Sequence, residues 1–309
     1  MSAPVTSTVT APRIGVDIGG TKVAAVVLAS DGSVAAQHRV RVERGDDGVI
    51  ASTRDAVAAV CRDAGISVAD VASVGVGVPG AVSEGVVRHA LNLDVVELDL
   101  GAALAHEWKV PVQVENDVNA AAVGAWHLLG DGRTSVAYLN VGTGLAAGLI
   151  LDGRLWRGSQ GAAGEIGYIV TDPADPRGPE GLPGVLETYA SGSGLALQWD
   201  RAGETAVDVL AAARAGDATA IAIRERLMSG VATAVRILTL TFDVEHVVLG
   251  GGLTGMGDAL TDGARAVIGE WEAASPFLAS LRMGERISIA PADQPIAAIG
   301  AALLEADHG

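Results

Sequence analysis

The chain has 309 residues, enough for two domains, and 49% of them are apolar, enough to bury two cores. Its 21 basic residues stand against 37 acidic ones, a net charge of −16, which argues against a grip on a nucleic-acid backbone as the main activity. The single cysteine, Cys61, can close no internal disulfide and build no cysteine-rich zinc site, and no apolar run reaches the length of a membrane span, so the chain reads as cytoplasmic.

Met1 to Pro12 is rich in Ser, Thr and Pro without periodicity and reads as a disordered tail. Order is expected from Arg13. Ile14–Ile18, Val23–Leu28 and Ser33–Val40 are predicted strands, the last two joined through a Ser30-Asp31-Gly32 turn. Helical spacing follows over Asp46–Ala64, then a buried strand over Val71–Val78, a helix over Gly101–Trp108, a strand over Val112–Val114 and a helix over Ala120–Ala125. The second half predicts helices over Val185–Ala196, Ala206–Arg214 and Ala218 to about Leu240. A strand running into Gly250-Gly251-Gly252 comes next, then a helix over Met256–Glu272, a strand over Arg286–Ile289 and a last helix from about Pro295 to Glu305.

An internal repeat organises these elements. Gly20-Thr21-Lys22-Val23-Ala24-Ala25 returns as Gly142-Thr143-Gly144-Leu145-Ala146-Ala147, and each copy runs through apolar residues into Asp-Gly. Strand, Gly-Thr turn, strand, Asp-Gly turn, strand therefore occurs twice, which predicts two similar α/β lobes with a ligand cleft between them. The boundary is placed near Asp117.

Several motifs carry chemistry. Asp17-Ile18-Gly19-Gly20-Thr21-Lys22 turns on two glycines, so its N–H groups can approach a phosphate, while Thr21 and Lys22 add a hydroxyl and a charge. Lys22 is one of only two lysines, with Lys109. Asp17 can hold Mg²⁺ through water. Gly142-Thr143-Gly144 and Gly250-Gly251-Gly252 are further loops of the same kind, and none is a Walker loop. Read alone, each is equally an ordinary turn, and Glu115-Asn116-Asp117 is equally a helix N-cap. The six histidines show no ligand spacing.

Asp17 to Lys22, Gly77-Val78-Pro79-Gly80, Ala90-Leu91-Asn92-Leu93, Glu115 to Ala120, Gly142 to Gly144, Gly164-Glu165-Ile166-Gly167 and Leu249 to Gly252 together resemble, in order and spacing, the motifs of the ROK family (repressors, open reading frames, kinases). The likeness is greatest to its bacterial glucokinase branch and runs from Ile14 to about Leu304. It implies a two-lobed hexokinase/actin-like ATPase fold with duplicated ribonuclease H-like lobes: residues 1–118 with 293–309 as the small lobe and 119–292 as the large one. It also implies an ATP- and Mg²⁺-dependent kinase acting on the C6 hydroxyl of glucose or a related hexose, as a homodimer or homotetramer, with no nucleic-acid or membrane partner.

The same resemblance assigns Asp117 as catalytic base, a role that suits a carboxylate placed to take a hydroxyl proton during phosphoryl transfer. Gly80, Asn92, Asn116, Glu165, Tyr168 and Glu187 fall to the sugar, the two glutamates as buried hydroxyl acceptors. Asp17, Gly19, Gly20, Thr21, Lys22, Gly142, Thr143, Gly144, Gly251 and Gly252 fall to the nucleotide. Where many relatives have a histidine and a cysteine loop that bind structural zinc, this chain has Tyr168 and a segment, Asp172 to Gly184, with four prolines and neither residue, so no zinc is expected. The prolines are expected to replace part of the metal's ordering effect by restricting the unfolded chain. An amino or N-acetylated hexose is the alternative substrate, and a sugar-sensing regulator the alternative class, although the 13 or so residues before the fold leave no room for a helix-turn-helix domain.

Overall fold

The computed structural model describes residues 11–304, Glu180's side chain excepted. The expected tail falls largely on residues 1–10, outside this range, and Pro12 already accepts a backbone hydrogen bond from Ala72 (2.8 Å). Two compact units divide the chain, residues 1–130 with 292–309 and residues 131–291.

The first unit opens with β1 (Arg13–Ile18), β2 (Lys22–Leu28) and β3 (Val34–Arg41), an antiparallel meander, followed by α1 (Asp46–Ala64). Asp46 and Asp47 favour the positive start of α1, and left-handed Gly65 ends it. Strand β4 (Ser73–Val78) lies parallel to β1, and its near-total burial accounts for its unbroken apolar run. A small antiparallel sheet of β5 (Ala81–Ser83), β6 (Val86–Ala90) and β7 (Val95–Asp99) follows, then α2 (Leu100–Trp108), β8 (Val112–Asn116) parallel to β4, and α3 (Asp117–Leu129).

The second unit repeats the plan. Strands β9 (Val136–Val141), β10 (Leu145–Leu151) and β11 (Arg154–Trp156) form its meander. Helices α4 (Glu187–Ala190), α5 (Gly192–Trp199), α6 (Ala206–Arg214) and the long α7 (Ala218–Phe242) precede β12 (His246–Gly250), which runs parallel to β9. After α8 (Asp258–Ala274) and α9 (Pro276–Leu281), β13 (Ile287–Ile289) completes the sheet. The orders β3-β2-β1-β4-β8 and β11-β10-β9-β12-β13 are the same five-stranded topology written twice.

Finally α10 (Ile296–Ala302) returns to the first unit and lies on β1, β4 and α3 through glycines. A Cβ added at Gly15, Gly75 or Gly300 would sit 1.8 Å, 1.7 Å and 1.7 Å from the carbonyl oxygens of Ala298, Ala301 and Ala120. This packing keeps α3 in the first unit, so the division falls after Gly130 and not near Asp117, where the repeat alone had set it.

One further expectation is corrected. The helix predicted over Val185–Ala196 is two helices, because Ser191 is extended (φ −142°, ψ 162°) and its hydroxyl both donates to the Glu187 carbonyl (2.8 Å) and accepts from Gly194 N–H (3.0 Å). The three-stranded sheet over residues 81–99 and helix α9 were not foreseen, being too short to show a period.

Candidate active site

In the first unit the parallel register sets Asp17 beside Gly77, and Gly77 beside Glu115. Gly77 has no side chain to hold α3 away: a Cβ there would lie 3.2 Å from that of Ala120. Asn116 caps α3, its Oδ1 accepting from Val118 N–H (2.9 Å) and Asn119 N–H (3.2 Å), while its Nδ2 donates to the Gly80 carbonyl (3.1 Å). Gly80 needs its positive φ of 101°, and a Cβ there would lie 2.5 Å from the Arg88 carbonyl oxygen. Buried Glu115, to which the sequence had given no role, accepts from Asn116 N–H and from Asn119 Nδ2, both at 2.9 Å. The cap is therefore itself held from behind.

Asp117 is the first residue of α3 and accepts from Val118 N–H at 3.0 Å. A helix start favours the ionised carboxylate. Burial outweighs that bond, however, and the Asp117 carboxyl is pushed above its ordinary value. Asp17 is pushed up to about 7, first by burial and then by the negative charge of Asp117, with Arg39 pulling the other way. At the neighbouring β1–β2 turn, Gly19 N–H bonds the Lys22 carbonyl (2.9 Å), Thr21 and Lys22 are exposed, and Asn92 Nδ2 lies 3.4 Å from where a Cβ on Gly20 would be. Asp17, Gly19, Gly20, Gly80, Asn92, Asn116 and Asp117 are thus gathered at one end of one sheet.

In the second unit the β9–β10 turn holds Gly142, Thr143 and Gly144. The start of α5 occupies its carbonyls: Gly192 N–H bonds Gly142 O (2.8 Å), and Ser193 bonds Thr143 O through its N–H (3.0 Å) and its hydroxyl (2.7 Å). Pairing of Gly250 with Asn140 brings the triple-glycine segment to the same place. Gly251 (φ 85°) is pressed so close that a Cβ would lie 2.6 Å from the Val141 carbonyl oxygen. Glu187, half-buried, accepts from Leu145 N–H at 2.8 Å and lies against Gly144, where a Cβ would come within 2.9 Å of its carboxylate.

Glu165, expected to be a buried acceptor, is exposed, as it begins the short 3-10 turn Ile166–Tyr168. Tyr168 is 50% exposed. Among the described residues no group of three His, Cys, Asp or Glu side chains could hold a metal ion, and no helix is long and apolar enough to cross a membrane.

A family model described as "ROK family" matches residues 13–308. The chain is 33% identical over 270 residues to a glucokinase of Halalkalibacterium halodurans, covering 80% of this chain and 82% of that one. It is 30% identical over 242 residues to an N-acetylmannosamine kinase of Yersinia pseudotuberculosis, covering 77% and 82%. Among solved structures it resembles a ROK hexokinase from Thermus thermophilus (TM-score 0.78, 30% identity, 94% and 97% coverage). It also resembles a ROK family glucokinase from Streptomyces griseus in complex with glucose and AMPPNP (TM-score 0.74, 28% identity, 94% and 98% coverage).

Proposed function

The chain belongs to the ROK family, and from that membership we propose that it is an ATP-dependent hexose kinase of the glucokinase type, transferring the γ-phosphoryl group to the C6 hydroxyl of glucose. One observation carries the chemistry: Asp117 stands at the start of α3 with its basicity raised by burial, beside a second carboxylate, Asp17. A sugar hydroxyl is a poor nucleophile, and a carboxylate of raised pKa takes its proton more readily as the phosphoryl group moves.

Each residue then has a task. Asp117 accepts the C6 hydroxyl proton. Asn116 chiefly fixes Asp117, because three of its amide's hydrogen-bonding positions already serve the α3 cap and Gly80, which leaves one N–H for a sugar hydroxyl. Asn92, Gly80, Glu165, Tyr168 and Glu187 complete the sugar contacts. Gly19, Gly20, Thr21 and Lys22, with Gly142, Thr143, Gly144, Gly251 and Gly252, cradle the ATP phosphates. The buried Asp17 carboxyl fits Mg²⁺, which needs only one or two carboxylates when waters complete its shell. Held through water by Asp17, the ion would supply positive charge against the ATP phosphates. We place the enzyme in the cytoplasm, as a homodimer or homotetramer.

An amino or N-acetylated hexose is the second reading, favoured by the identity to an N-acetylmannosamine kinase. Initial rates of ADP formation with glucose, mannose, glucosamine, N-acetylglucosamine and N-acetylmannosamine decide between them. Glucose is expected to give the highest kcat/KM and a product whose phosphorus couples to C6 by NMR. A higher kcat/KM for an amino or N-acetylated sugar would select the second reading, and sugar-independent ADP release would overturn both.

A further inference from the structure

We propose that Asp175, Arg177 and Tyr189 form a clasp that positions Glu187 for the sugar, an inference that rests on the reading of Glu187 as a sugar ligand. Helix α4 has four residues and no side-chain cap at its start, so it cannot hold itself in place. Its position comes from its neighbours. Below it, α7 approaches so closely that a Cβ on Gly230 would lie 3.0 Å from that of Ala190 and 3.2 Å from that of Tyr189. At its side, the Tyr189 hydroxyl donates to Asp175 (2.9 Å).

Asp175 is 9% exposed, yet it lies on a surface excursion between Tyr168 and Glu187. Its carboxylate accepts from Arg177 three times: from backbone N–H (3.0 Å), from Nε (2.8 Å) and from Nη2 (2.7 Å). A two-pronged guanidinium contact fixes direction as well as distance. The excursion is pinned at its base by Thr171 N–H to Gly184 O (2.8 Å) and Leu186 N–H to Ile169 O (2.8 Å), so the Asp175 carboxylate is a fixed point to which the Tyr189 hydroxyl is tied. Beside it lies a cavity of about 310 Å³ lined in part by Asp172, Asp175, Arg177, Tyr189 and Arg226.

Glu187 is two residues before Tyr189, and its carboxylate already bonds Leu145 N–H. A rotation of α4 moves that carboxylate. The clasp residues touch neither substrate nor nucleotide and act through Glu187, as positioning residues.

The test compares Tyr189→Phe, Asp175→Asn and Glu187→Gln in steady-state kinetics, with melting curves for each. The clasp variants are expected to raise KM for glucose roughly tenfold with KM for ATP changed less than about twofold, and the double clasp variant to be little worse than the worse single one. A structural role alone would not select the sugar. Should Asp175→Asn fail to fold, Tyr189→Phe, which removes one oxygen and keeps the ring, carries the test by itself. Unchanged glucose KM in Tyr189→Phe, with a raised value in Glu187→Gln, would overturn the clasp alone. Unchanged glucose KM in Glu187→Gln would overturn the role of Glu187 and the clasp with it.

Discussion

Asp17 and Asp117 are costly residues to place together, and the cost has a pH dependence that can be measured. With its carboxyl raised from 3.8 to about 7, Asp17 binds its proton more tightly in the folded than in the unfolded chain. Its favourable contribution is complete below pH 3.8, declines as pH rises between the two values and is lost above about 7. Asp17→Asn removes this titration. In Mg²⁺-free buffer the variant's gain in Tm over the parent chain is therefore expected to be larger at pH 8 than at pH 5. An equal difference at the two pH values would show that Asp17 carries no such strain. Tyr168 makes a second case. If its half-exposed hydroxyl pairs with the sugar, Tyr168→Phe changes the ratio of kcat/KM between glucose and C2-amino sugars by roughly 1 to 3 kcal/mol, because a partner is left unmatched. An unchanged ratio would assign Tyr168 to the protein surface. At this scale the sequence was informative where residues adjoin in the chain, as in Asp17 to Lys22 and Glu115 to Asn119. It was silent on the triad of Asp175, Arg177 and Tyr189, whose members meet only after the excursion folds back, and it expected a buried Glu165 that is exposed, because burial depends on neighbours distant in sequence. The prolines were expected to supply part of the excursion's order, and the buried Asp175 carboxylate adds a hydrogen-bonded anchor.

Between elements, the closest fits lie where α10 meets α3 and the first sheet. Gly300→Ala would place a methyl 1.7 Å from the Ala120 carbonyl oxygen, between two helix backbones that cannot part without moving α3 and, with it, Asp117. The expected loss is at least the roughly 1 to 3 kcal/mol of ordinary overpacking, read as a lower Tm. Gly269→Ala is the control: it stands in α8 with nothing within 4 Å of an added Cβ, and a gain of roughly 0.5 to 1 kcal/mol is expected. Equal effects would refute the seam. The β9–β10 turn gives an element-level prediction of function. Its carbonyls are bound by α5, so Thr143→Val should spare the turn's backbone and weaken ATP more than glucose, read as a rise in KM for ATP with glucose affinity unchanged. Equal losses would make the turn merely structural. Helix α1 was legible to its ends because its acidic start and Gly65 are local signals. The break at Ser191 was not, since the flanking apolar residues keep a helical period across it, and only the serine's two hydrogen bonds reveal it.

Over the whole molecule, the repeated Gly-Thr turn was the most informative feature of the sequence, because a duplicated turn implies a duplicated sheet, and both units have the same strand order. The division of the chain was less legible. Helix α3 looks from the repeat like the start of the second half, yet its packing against α10, which returns from the far end of the sequence, keeps it in the first. That arrangement sets Asp117 in the same unit as Asp17, and the proposed chemistry depends on it. The central claim, that this is a hexose kinase whose base is Asp117, is tested most directly by kcat for glucose phosphorylation in the parent chain and in Asp117→Asn, with glucose affinity measured on both by calorimetry. The parent chain should release ADP in proportion to glucose consumed, while the variant should keep its glucose affinity within about threefold and lose roughly 10² or more in kcat. Near-normal kcat in Asp117→Asn, or no glucose-dependent ADP from the parent chain, would contradict it.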